Sequence, residues 1–177
     1  MAEGSTGLAL VDSQGVRIWP EATSEAGPVI TRQRDTPQAI AWTSPTTIAL
    51  TTAEGIIRLI DARQQPALTR IAGFPSWCFG VDVSRDGSRV AIGPGGRGKP
   101  QIVDLRDTTK RTAVAIPELT RSRCVKFLPD GHTLLTGSGD NNLRLANADT
   151  GEIIAKWGIG KGEIYALDID ATGTTAA

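Results

Sequence analysis

Aromatic residues make up only 5% of this 177-residue chain, which also holds one histidine, one methionine and two cysteines. A lone histidine, His132, excludes His-rich metal centres, so no metal is expected. Cys78 and Cys124 have no metal-like spacing and no third thiol nearby, so both zinc and a disulfide framework are disfavoured. They read as reduced, half-buried thiols of a cytoplasmic protein. No apolar run reaches the roughly 18 residues of a membrane-spanning helix. The start, Met1-Ala2-Glu3-Gly4-Ser5-Thr6, lacks the basic and apolar regions of a secretory signal. Net charge is lacking too: 19 basic and 19 acidic side chains cancel, which argues against a whole-surface attraction to nucleic acid or anionic membrane. Carboxylate pairs at helical spacing, a G-x-S-x-G turn and a P-loop are all missing, so no catalytic residues and no cofactor are expected.

What is present is a repeat. A short apolar run carrying a basic or amide residue recurs as Val16-Arg17-Ile18-Trp19, Ile57-Arg58-Leu59-Ile60, Pro100-Gln101-Ile102-Val103 and Leu143-Arg144-Leu145-Ala146. Arg17, Arg58, Gln101 and Arg144 stand 41, 43 and 43 residues apart. A period of about 40 to 45 residues built of short strands implies units that bury their faces only by stacking on neighbours.

The clearest unit shows the grammar. Arg123-Cys124-Val125-Lys126-Phe127 alternates like a half-buried strand, and Pro129-Asp130-Gly131 turns it. Thr133 to Ser138 is a second strand, Gly139-Asp140-Asn141-Asn142 a tight turn, Leu143 to Asn147 a third strand, and Glu152 to Trp157 a fourth. Four antiparallel strands with short turns make a propeller blade. The expected organisation is all-β: an incomplete blade over 7–33, blades over 38–72, 78–116 and 123–157, and the start of a further blade over 163–177 whose first strand covers 163–169. Within 78–116 the fourth strand is expected over 112–116, and within 7–33 a strand is expected over 29–33. Trp19, Trp42 and Trp157 fall on apolar strand positions and are expected in the core.

These units resemble WD40 repeats over nearly the whole chain. The run from Phe127 to Leu145 resembles that family's turn, second strand, turn and third strand in order. The Trp-Asp pair that names the family is replaced by Ile60-Asp61, Val103-Asp104 and Ala146-Asn147, and the Gly-His pair before each first strand is absent. The resemblance implies a β-propeller-like array of about four blades, forming an open arc or part of a longer propeller. It lacks the buried His, Ser, Asp and Trp network, so apolar packing is expected to dominate between blades.

The resemblance also implies a binding surface. In that family the alternate residues entering each first strand point to the rim of the central channel, where partners dock. Here those residues are Thr36 and Gln38, Trp77 and Phe79, Arg121 and Arg123, Glu163 and Tyr165. Aromatic and arginine side chains are the stuff of interaction hot spots. Arg121 and Arg123 could grip carboxylates or phosphate of an acidic or phosphorylated segment.

The reading is a non-enzymatic scaffold that binds a peptide or protein domain. Its rivals are a regulatory segment of a larger signalling enzyme, a kinase or NTPase with its catalytic domain elsewhere, and a phosphate or nucleic-acid contact through the basic region 97–126. That region sets Arg97, Lys99, Arg106, Lys110, Arg111, Arg121, Arg123 and Lys126 against Asp104, Asp107 and Glu118. A homodimer completing a propeller ring is a further expectation. Gly93-Pro94-Gly95-Gly96-Arg97-Gly98-Lys99 is superficially similar to a phosphate-cradling loop but joins two strands without a following helix, so a flexible hairpin is expected.

Overall fold

A computed structural model describes residues 8–12, 15–19, 36–61, 68–74, 77–96, 98–116 and 121–176. The strand expected over 29–33 lies outside these residues. Every element among them is a β-strand. The hairpin β1 (Leu8–Asp12) and β2 (Gly15–Trp19) comes first. Three four-stranded sheets follow, each a simple antiparallel meander. The first is β3 (Pro37–Ser44), β4 (Thr47–Thr52), β5 (Ile56–Asp61) and β6 (Leu68–Gly73). The second is β7 (Cys78–Val83), β8 (Arg89–Pro94), β9 (Gln101–Asp104) and β10 (Arg111–Ala113). The third is β11 (Ser122–Phe127), β12 (Thr133–Ser138), β13 (Asn142–Asn147) and β14 (Ile153–Gly158).

The turn chemistry does what the sequence requires of it. Gly87 and Gly131 take φ of 70° and 69° after β7 and β11, a region that a Cβ penalises. Asp86 rigidifies the first of these turns: it accepts from the Ser84 hydroxyl at 2.6 Å, the Ser88 hydroxyl at 2.6 Å and the Ser88 N–H at 3.1 Å. Those donors hold its carboxyl down to about 2. A depressed acid contributes stability above its unfolded value of about 3.9 and loses it as pH falls through the folded value. Wild-type melting temperature should therefore fall between about pH 4 and 2, and Asp86→Ala should lower it at pH 7 while flattening that part of the acid limb. Thermal melts across pH check both.

The sheets stack face to face, and the second strand of each is where the stacking shows. Burial is continuous along Ile48 to Thr52, Val90 to Pro94 and Leu134 to Ser138: the first two strands have packed strands on both faces, and the third has the second sheet on one face and Ile164 against Gly137 on the other. Val16 and Ile18 of the hairpin pack on Ile48, Leu50 and Ile60. On the other side of the same sheet, Ala49 and Ile57 join Cys78, Val90, Ile92 and Val103. Ala91 and Ile102 then turn to Val125, Phe127, Leu134 and Ala146. Each such aliphatic side chain contributes about 1.5–3 kcal/mol.

Close approach of backbones sets the spacing of the second and third sheets. A Cβ on Gly80 would lie 2.7 Å from the Arg123 carbonyl oxygen, and one on Gly93 would lie 2.6 Å from that of Ser122. Asp82 adds a polar tie, accepting the Phe127 N–H at 2.7 Å with Lys126 Nζ at 3.5 Å. Burial raises its carboxyl above the ordinary value, and the Lys126 ammonium offsets only part of that.

Several expectations need correction. β10 covers only Arg111–Ala113 rather than 112–116, because Val114 and Ile116 turn down into the core and the Val114 N–H donates to Pro100 O at 2.9 Å. The segment 163–169 is not a strand; among the described residues its one pairing is the bridge from Ile169 to Ala176. Trp157 is 48% exposed rather than in the core, because it lies on the outward face of the third sheet. Leu8 and Leu10 are likewise exposed on the outer face of the hairpin. Cys78 and Cys124 are free and buried rather than half-buried, and burial pushes their thiols up to about 12 and about 11. In the glycine-rich connection, the missing Cβ of Gly95 makes room for the Phe79 ring, and its N–H donates to Trp77 O at 2.7 Å.

Candidate functional site

Three strand starts are equivalent in space as well as in sequence. The carbonyl oxygens of Thr36, Trp77 and Arg121 accept from the N–H groups of Ala53, Gly95 and Gly139 at 2.8, 2.7 and 2.7 Å. Each start is thereby fastened to the turn between the second and third strands of its own sheet, which puts all of them on one face.

The next residue but one is special in each sheet. The pairing register slips between Pro37 and Ala39, between Cys78 and Gly80, and between Ser122 and Cys124, which makes Gln38, Phe79 and Arg123 bulge residues. A bulge leaves its extra residue out of the ladder and re-aims the side chain, a device common beside functional sites. No residue pattern marks these bulges in the sequence.

Six of the eight sequence-predicted residues come together. Trp77 and Phe79 meet edge to face with centroids 5.9 Å apart and planes at 80°. The Arg123 guanidinium lies 5.5 Å from the Phe79 ring centre and 4.7 Å from that of Tyr165. Its Nε is 2.7 Å from Glu163 Oε2, and both atoms are sealed from water. The N–H does not point along that contact, so it is an ion pair without an aligned hydrogen bond. Arg121 Nη1 stands 3.7 Å from the other Glu163 oxygen.

Arg121 and Arg123, read from sequence as grips for a partner's carboxylate, therefore already share one from their own chain. They differ in what they have left. Arg123 is enclosed, with a side chain only 22% exposed, whereas Arg121 is 56% exposed and makes one loose contact. Trp77 and Tyr165 stand out from the face at 58% and 66% exposure. The last segment is fastened by Ile164, which is buried against Gly137 and accepts from the Cys124 thiol at 3.5 Å. Thr36 and Gln38 lie on the same face but stay outside this cluster; Thr36 N–H donates to Glu54 at 2.9 Å.

The basic region is largely compensated from within. Arg106 pairs with Asp104, Lys110 with Asp107, and Lys126 with both Asp82 and Asp168. No group of His, Cys, Asp and Glu suited to a metal ion occurs among the described residues. No helix among them is long and apolar enough to cross a membrane.

One solved structure decides the architecture. The β-propeller domain of Cps50 (Swd1) from Myceliophteria thermophila superposes with a TM-score of 0.83 over 98% of this chain and 58% of its own, at 18% sequence identity. The fold is that of a β-propeller. The WD40-like grammar of the turns thus corresponds to stacked propeller blades, and the three four-stranded sheets are those blades. The chain spans 58% of the domain it matches, which is less than two thirds of it. No family model and no curated protein matches the chain.

Proposed function

We propose that this chain is a protein-interaction module whose strand-start face captures a peptide bearing a carboxylate or phosphate beside an apolar side chain. The reading rests on one observation: Trp77, Phe79, Arg121, Arg123, Glu163 and Tyr165 form a continuous aromatic and cationic cluster at the junction of two blades. Arg123 is its fixed centre, held by two rings and a carboxylate. Arg121 has donors to spare for an incoming anionic group, and a planar guanidinium grips such a group bidentately. Trp77 and Tyr165 offer rigid apolar area at small entropic cost on either side.

The test uses fluorescently labelled peptides rich in glutamate or phosphoserine, each with one aromatic or leucine residue, followed by anisotropy. Trp77→Ala with Arg121→Glu should weaken capture at least tenfold without changing the circular-dichroism spectrum, since both side chains are mostly exposed. Equal binding by that variant removes this face from consideration.

A further inference from the structure

The opposite face carries a second concavity. Because the strands are antiparallel, the turns leaving β7 and β11 lie at the far end from the strand starts, together with the β9–β10 and β13–β14 turns. Between the second and third blades these turns enclose a groove of about 600 Å³, within the range of small-molecule sites. Its floor is apolar, made by Ile102, Pro129 and Ala148.

The polar walls have a sided chemistry. Four carboxylates line the groove, and all four have their oxygens taken. Asp86 is committed to its serine turn. Asp130 accepts from the His132 and Thr133 N–H groups, both at 2.9 Å, and from the Thr133 hydroxyl at 2.6 Å. Asp104 accepts from the Arg106 N–H and guanidinium, at 2.8 and 3.2 Å. Asp149 accepts from Arg89 and lies 2.8 Å from His132 Nδ1. Arg89 is largely enclosed, its side chain 16% exposed, with Nη1 on Asp149 and Nη2 donating to Gly131 O across the blade junction.

Donors, by contrast, remain. Arg106 is 72% exposed and uses only its Nε and Nη2 on Asp104, which leaves Nη1. Lys110 is 73% exposed, and its ammonium has a single contact, 3.7 Å to Asp107. Both line the groove. The lining charges balance, Arg85, Arg89, Arg106 and Lys110 against Asp86, Asp104, Asp130 and Asp149, but the acids' oxygens are taken while N–H donors of Arg106 and Lys110 are unused, which suits a ligand that brings anionic acceptors.

We propose that this groove binds a small polyanion, a molecule with two or more phosphate or carboxylate groups, held by Arg106 and Lys110 over the apolar floor. The volume exceeds what one oxyanion fills, and two neighbouring cations call for more than one anionic group. This site is separate from the strand-start cluster and does not depend on it.

Titration calorimetry of the full chain at low ionic strength, with tripolyphosphate and with citrate, tests it. Saturable one-site binding of at least one probe is expected, weakened at least tenfold by Arg106→Ala with Lys110→Ala. Tripolyphosphate alone binding identifies phosphate as the group recognised, citrate alone identifies carboxylate, and both together identify charge density. A control, Lys156→Ala with Lys161→Ala, removes the same charge from exposed positions outside the groove and should leave binding within twofold. The proposal is overturned if neither probe binds, if the groove variant binds like wild type, or if the control loses as much as the groove variant.

Discussion

Arg144→Ala is expected to cost about 3 kcal/mol of stability, the scale of breaking a buried charged network by removing one partner. Its side chain is only 4% exposed, and Nη1 donates to Ser138 Oγ at 3.1 Å and to Asp140 Oδ1 at 3.0 Å, while Nη2 takes the second carboxylate oxygen. The fork thus closes the β12–β13 turn from inside the blade. It also holds the Asp140 carboxyl below its ordinary value. Truncation would strand the Ser138 hydroxyl, which is fully buried, and free a turn in which Asn141 adopts φ of 62°. Urea unfolding checks the magnitude. Arg144→Lys should recover only part of it, because an ammonium cannot span both carboxylate oxygens and the hydroxyl in one plane.

Gly80→Val is expected to have an effect of similar size by a different route, and to reach the candidate site as well. The new Cβ would meet the Arg123 carbonyl oxygen at 2.7 Å and the Cys124 Cα at 3.1 Å, and backbone atoms cannot swing aside as a flexible side chain can. Forcing β11 away from β7 should cost about 3 kcal/mol, the upper end of ordinary overpacking. It should also part Arg123 from the Phe79 ring, so peptide capture should fall even where the variant stays folded. Gly158→Val is the control: a Cβ there has only Asn142 Oδ1 at 3.8 Å, and the change should stay within about 0.5 kcal/mol.

The recurring basic or amide residue shows how far the sequence could be read. Its spacing revealed the blades, but its role did not follow from spacing alone. Asp140 stands four residues before Arg144, and Glu54 stands four before Arg58. In the second blade that earlier position is Arg97 and the later one is Gln101. Gln101 Oε1 is buried without a hydrogen-bond partner. The acid–arginine spacing was visible, but only the folded turn shows that it closes a hairpin.

The candidate site was legible in part for a similar reason. Alignment of the strand starts placed Trp77, Phe79, Arg121, Arg123, Glu163 and Tyr165 on one face, because the repeat period carries equivalent residues to equivalent places. Which of them touch depends on the bulges at Phe79 and Arg123 and on the approach of neighbouring sheets, and neither leaves a local mark. Glu163 was read as one more rim residue, and its role as the carboxylate shared by two arginines needs the distance between blades. The groove on the far side was missed outright. Its walls come from four turns of two blades, and each turn alone reads as ordinary solvated connection. Trp157 was misplaced because strand alternation tells which face a side chain takes, but not whether another sheet covers it.

Resonance mapping of the labelled chain during titration with a captured acidic or phosphorylated peptide tests the central claim most directly. The largest shifts are expected at Trp77, Phe79, Arg121, Arg123 and Tyr165, with the turns around Asp86, Arg106 and Asp130 unmoved. Shifts confined to those turns, or spread evenly over the surface, would contradict it.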